Sequence, residues 1–230
     1  MASALIAAFL LGVPDVRSER FEIITSDGRA QSIHALVAVP ESPRGTVLLV
    51  HGSAFSAQTW HSLGTLSLLA DSGFRAIAVD VPGYGSHLSG RERLRPTEAA
   101  EFLAQFLDVA LPHRGERVVC VAASMGGTYA NPLVSRHPER VAGYVPIAAV
   151  TTTELGAPHM PALILWGELD SPNSAKARLY TSRFPKHHKV VFPDAPHPCY
   201  LKSPKLFNAL LLEFVGAKPQ ERLRVRASWR

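Results

Sequence analysis

Along the 230 residues, short apolar runs alternate with longer amphipathic ones. Runs at 21–25 and 33–39 have the alternation and β-branched content of strands, and the SDGRA between them, with Asp27 and Gly28, predicts a hairpin turn. These two strands open a sheet as an antiparallel pair. Thr46–Val50 reads as a buried strand ending in His51 and Gly52. From 60 to 71, leucines recur at helical spacing, and Gly73 closes the helix. A strand at 74–81 stops at PGYG, and a helix at 97–111 gathers Phe102, Leu103, Phe106 and Leu107 on one face. The apolar stretch from Val118 meets a serine and continues through two glycines into TYANPLVSRH, which reads as a helix. Strands at 141–149, 162–166 and 189–192 follow, with helices near 175–182 and 204–215. Strands that alternate with helices predict an α/β domain, a mostly parallel sheet with helices on both faces. No internal repeat or linker divides it, so the expected organisation is an apolar arm at 1–18, one domain at 19–216 and a basic tail at 217–230.

The stretch VVCVAASMGG organises the candidate chemistry. Strand, Ser124, helix is the pattern of a nucleophile elbow, in which the chain turns so sharply that small residues must flank the serine. Ala122 and Gly126 fill those positions. Read alone, the same residues could be a serine capping a helix after a core strand. Acid and base partners decide between the two, and in parallel sheets they gather on loops beyond the carboxyl ends of strands. ALILWGELD runs from a strand into Asp170, and KVVFPDAPHP runs from the last strand into His197, giving the order serine, acid, histidine. Asp170 also reads as a cap for the helix that follows, and Glu168 and Asp194 compete as acids. Asp170 is preferred because a short side chain at the loop's end suits a fixed hydrogen bond, whereas Asp194 lies too close to His197 in sequence. An oxyanion needs preorganised donors, best supplied by backbone amides. Met125 after the elbow is one candidate, and Ser53 or Ala54 after His51 and Gly52 is the other. His51 itself is expected to be structural.

Composition narrows the partners. With 47% hydrophobic and 19% charged residues, the chain has ample core for one globular domain. The net charge of +5 and the pI of about 9.5 owe much to the last segment, with Lys218, Arg222, Arg224, Arg226 and Arg230. No aromatic-interleaved basic patch appears within the domain, which argues against nucleic acid. Cys120 and Cys199 lack the spacing of a disulfide framework or metal site, so no metal and a reducing compartment are expected. The apolar run at 4–13 is too short to span a bilayer and lacks the charged start of a secretory signal. It reads as an arm, with a membrane anchor as the alternative.

HGSAFSAQTWHSLGTLSLLADSGFRAIAVDVPGYG, VPIAA, PALILWGELD and HPCYL together resemble the α/β-hydrolase-domain fourteen proteins, small lidless members of the α/β-hydrolase superfamily. The resemblance runs from about Thr46 to Val215. It implies the α/β-hydrolase fold without a cap domain, and by motif its serine, aspartate and histidine fall on Ser124, Asp170 and His197. The chain departs from the family in carrying AASMGG at the elbow and Pro196 where a glycine precedes the histidine. The family's B form implies acetyl esterase or protein lysine deacetylase chemistry that passes the acetyl group to coenzyme A.

The expected function is therefore that of a serine hydrolase or acyltransferase for short acyl groups, working through an acyl-enzyme. The segment at 150–161 is too short to hold a cap, which favours short acyl groups or an acyl group on a larger partner. No bound cofactor is expected; coenzyme A is a candidate acyl acceptor. Substrates would be small molecules or acetylated proteins, and the protein is expected to be a monomer in cytoplasm or nucleus. Two other classes fit the same residues: a protein-interaction module, as implied by a relative described as a partner of a transcription-initiation factor, and a cofactor-free perhydrolase.

Overall fold

A computed structural model of the chain describes residues 15–25, 28–150, 155–156, 158–170 and 174–217. Its eight strands are β1 (Arg17–Ile24), β2 (Ala30–Ala38), β3 (Thr46–Val50), β4 (Arg75–Val79), β5 (Val118–Ala123), β6 (Val141–Ile147), β7 (Ala162–Gly167) and β8 (His187–Phe192). They form one sheet in the order β1-β2-β4-β3-β5-β6-β7-β8. β1 and β2 pair antiparallel, as does β2 with β4, and every other neighbouring pair is parallel. The helices are α1 (Ala57–Ser62), α2 (Thr65–Asp71), α3 (Pro96–Ala110), α4 (Gly126–Arg136), α5 (Ser174–Arg183), α6 (Cys199–Lys202) and α7 (Pro204–Gly216).

The core is split by the sheet. Alternate residues of a strand point to opposite faces, so Leu48, Val50, Cys120, Ala122 and Ile164 pack with α3, α4 and α5. Val47, Leu49, Val119, Val121 and Leu163 pack on the other face with α1, α2 and α7. Covered on both sides, β3 and β5 have no exposed position, which is why they read as continuous apolar runs.

The expected antiparallel start and two-faced sheet are both present. The helix expected at 60–71 is two helices, because Gly64 adopts a left-handed φ of 70° that ends one and starts the next. β1 begins at Arg17, before the apolar residues that announced it, since it is an edge strand with polar residues exposed. The other edge strand, β8, likewise starts at His187 rather than at 189. α6 was not expected. Residues 1–14 of the arm, 218–230 of the tail and Asp27 of the hairpin lie outside the described residues, as do 151–154 and 157 in the segment expected to lack a cap. Among the described residues, no helix is long and apolar enough to cross a membrane.

Candidate active site

β5 delivers Ser124 to the carboxyl edge of the sheet with a φ of 48°, a conformation that costs a non-glycine residue on the order of 1–3 kcal/mol. Backbone hydrogen bonds hold it there. The Ser124 amide donates to Ile147 O at 2.9 Å, and its carbonyl accepts from Val150 N at 2.9 Å and Gly127 N at 3.0 Å. A Cβ at Gly127 would sit 2.3 Å from Val150 O, so this turn admits only glycine there. Ala122, by contrast, is fully buried within the core of one sheet face, where its methyl group has room.

The loops after β7 and β8 lie against each other because their strands are parallel neighbours. Glu168 N donates to Phe192 O at 3.0 Å and Leu169 N to Ala195 O at 2.9 Å. A Cβ on Gly167 would meet Pro196 O at 2.3 Å, so the acid loop and the histidine loop touch backbone to backbone. The result is a continuous chain across three elements. His197 Nδ1 lies 2.8 Å from Asp170 Oδ2, and His197 Nε2 lies 2.8 Å from Ser124 Oγ. An ionised Asp170 fixes the proton on Nδ1, leaving Nε2 to accept from the serine hydroxyl. Asp170 is 5% exposed and the His197 side chain 36%, so the acid is shielded while the base faces the opening. Glu168 faces elsewhere: its Oε2 accepts from Asp194 N at 3.0 Å.

The second wall of the site is the turn after β3. A Cβ on Gly52 would lie 3.5 Å from Ser124 Cβ, which places the turn directly beside the serine. His51 is fully buried, donates from Nδ1 to Gly52 O at 2.8 Å and accepts at Nε2 from Val81 N at 3.0 Å. Burial lowers its pKa, and an imidazole accepting a backbone amide must be neutral, so His51 is a brace for the turn. Asp80, at the end of β4, accepts from Ala57 N at 2.7 Å and from Ser86 Oγ at 2.7 Å. It thereby ties the start of α1, and with it the turn, to the sheet. Sequence reasoning gave Asp80 no role; the available signal was a carboxylate immediately after an apolar strand at the sheet's carboxyl edge. Among the described residues, the amides of Ser53, Ala54 and Met125 donate to no protein group.

A groove of about 480 Å³ runs beside this turn, lined by Ala54, Phe55, Ser56, Gln58, Ser86 and Leu201 among others, none of them charged. Cys120 and Cys199 are buried, and burial pushes both thiols up to about 12, so neither is poised as a nucleophile. No cluster of three potential metal ligands occurs among the described residues.

Comparison with known proteins agrees with the fold. Residues 45–159 match a family model described as alpha/beta hydrolase fold. Protein ABHD14A of Danio rerio is 38% identical over 179 residues, covering 76% of this chain and 65% of the relative. ABHD14B of Rattus norvegicus, by its name a candidate protein-lysine deacylase, is 35% identical over 200 residues, covering 81% of this chain and 92% of the relative. Among solved structures, carboxylesterase CesB of Bacillus subtilis superposes with a TM-score of 0.69 at 18% identity, covering 94% of this chain and 98% of that one. Esterase RhEst1 from Rhodococcus superposes with a TM-score of 0.68 at 19% identity, covering 86% and 98% respectively.

Proposed function

Since the chain belongs to the ABHD14 family of α/β hydrolases, we propose that it is a serine hydrolase in which Ser124, His197 and Asp170 are the nucleophile, base and acid of an acyl transfer. The observation that carries this reading is the unbroken hydrogen-bond chain from Asp170 through His197 to Ser124. His197 Nε2 takes the Ser124 proton as Oγ attacks the acyl carbonyl, and Asp170 stabilises the imidazolium that results. The Met125 amide and that of Ser53 or Ala54 receive the oxyanion, and their lack of protein acceptors supports this role. His197 then protonates the leaving alcohol or amine. Water, activated in turn by His197, hydrolyses the acyl-enzyme and restores the serine.

The acyl groups are short, acetyl or propionyl. The groove beside the turn, uncharged in its lining, suits the neutral remainder of an ester or of an acylated lysine, the substrate type named for the ABHD14B relatives. No bound cofactor is required by these steps. A thiol such as that of coenzyme A could replace water as the acyl acceptor, deprotonated by His197 in the same way. Turnover of p-nitrophenyl acetate tests the reading. Ser124→Ala, which removes one hydroxyl from the surface of the elbow, should abolish turnover while leaving the circular dichroism spectrum intact. Undiminished turnover in the variant would remove Ser124 as nucleophile.

A further inference from the structure

Besides Ala57 and Ser86, Asp80 also holds a histidine outside the Ser124 site. His34, inside β2, lies with Nδ1 2.7 Å from Asp80 Oδ2 and with Nε2 2.9 Å from Ser18 Oγ. The connectivity is the same as at Ser124: carboxylate to Nδ1, Nε2 to a serine hydroxyl. The His34 side chain is 6% exposed and that of Asp80 2%, so both carboxylates are shielded alike while His34 is far more enclosed than His197, which is 36% exposed. Asp80 also accepts from the Ala57 amide and the Ser86 hydroxyl, contacts that suit an ionised carboxylate. The proton of His34 therefore belongs on Nδ1, and its free lone pair faces Ser18. Ser18 itself is exposed on β1, the edge of the sheet. Arg20, two residues on and hence on the same strand face, is the register partner of His34. It is exposed and spends one N–H on Leu88 O at 3.0 Å.

We propose that Ser18 is a second acylation site, open to activated acyl donors with an anionic leaving group, such as acyl phosphates. In the step, Ser18 Oγ forms a bond to the carbonyl carbon while its proton passes to His34 Nε2. The carbon–oxygen bond to the phosphate breaks, the departing phosphate takes its electron pair, and His34 returns the proton to it. Arg20 neutralises the donor's charge. Ser18 sits in a regular ladder opposite Leu36, without an elbow or a helix start behind it. Lacking an oxyanion hole, it should react about 10²- to 10³-fold more slowly than an elbow serine and should hold its ester rather than turn over. Ser18 is thus a modification site, and the inference does not rest on the role proposed for Ser124.

The test uses the full chain carrying Ser124→Ala, which silences the elbow, so that failure at one serine says nothing about the other. Protein is incubated with acetyl phosphate, and adducts are mapped by mass spectrometry before and after hydroxylamine, which cleaves esters and spares lysine amides. The expected result is a hydroxylamine-labile acetyl group on Ser18, absent when Ser18→Ala is added and reduced about 10²-fold by His34→Gln. Because His34 is buried, Arg20→Gln on the exposed strand provides a second arm: it should slow modification by acetyl phosphate more than by neutral p-nitrophenyl acetate. Ser18 left bare while lysines are acetylated would overturn the proposal, as would an equal ester yield in the His34 variant. Equal slowing by both donors in the Arg20 variant would overturn the donor class.

Discussion

Replacing Asp170 with asparagine keeps the shape of the acid and removes its charge. The carboxylate lies 2.8 Å from His197 Nδ1, a distance at which two unit charges interact by about 6 kcal/mol in an effective dielectric of about 20. Full charge develops on His197 only as Ser124 gives up its proton, so this energy appears mainly in the barrier. The half-open imidazole, 36% exposed, lets water recover part of it. A remaining loss of roughly 4–5.5 kcal/mol corresponds to about 10³- to 10⁴-fold in rate. Asparagine can also favour the wrong imidazole tautomer, which acts in the same direction. Glu168 is the control, two residues away in the same loop and similar in charge, but engaged with the Asp194 amide. Steady-state hydrolysis of p-nitrophenyl acetate should show Asp170→Asn slower by that factor in kcat/KM, with Glu168→Gln within a fewfold of wild type. A severe Glu168 variant beside a mild Asp170 variant would refute the assignment of the acid.

Gly127→Ala would push a methyl group to 2.3 Å from Val150 O, a backbone clash that no side-chain rotation relieves. It should cost about 1–3 kcal/mol by denaturant unfolding, and an unshifted midpoint would show that the elbow can relax. For His51, whose pKa is lowered by burial, the unfolded chain binds a proton below pH of about 6.5 that the folded chain resists. Stability should fall as pH drops below that value, with a slope of up to about 1.4 kcal/mol per pH unit from this group. The fall between pH 8 and 5.5 should be shallower in His51→Asn, and an unchanged fall would mean that other groups carry it. Each buried methylene is worth about 0.8 kcal/mol, so an open site that buries few of them should favour acetyl or propionyl esters and decline by octanoyl. An octanoyl preference lost on deleting the residues before Arg17 would instead make the N-terminal arm a lid.

What the sequence conveyed well were the buried parallel strands, because a strand covered on both faces, such as Thr46–Val50, cannot hide its pattern. The edges were read short. Arg17 and His187 begin strands whose outer edges face solvent, and nothing apolar marks their first residues. The break at Gly64 was invisible because leucine spacing continues across it while only the backbone turns. At the site, the order and loop positions of Ser124, Asp170 and His197 were enough to nominate them, and the fold brings the three together. The choice between Glu168 and Asp170 depends on which way a loop points, and composition does not encode that. Asp80 was missed for a related reason. Its partners Ala57, Ser86 and His34 are separated along the chain and meet only once β2 and β4 are paired.

The central claim, that one elbow serine is activated by a histidine and an aspartate, is tested most directly by a fluorophosphonate probe applied to wild type and to Ser124→Ala. The account predicts rapid, stoichiometric modification of wild type with the adduct mapped to the peptide containing Ser124, and loss of that rapid phase in the variant. Wild type left unmodified, or a variant labelled as fast as wild type, would contradict it.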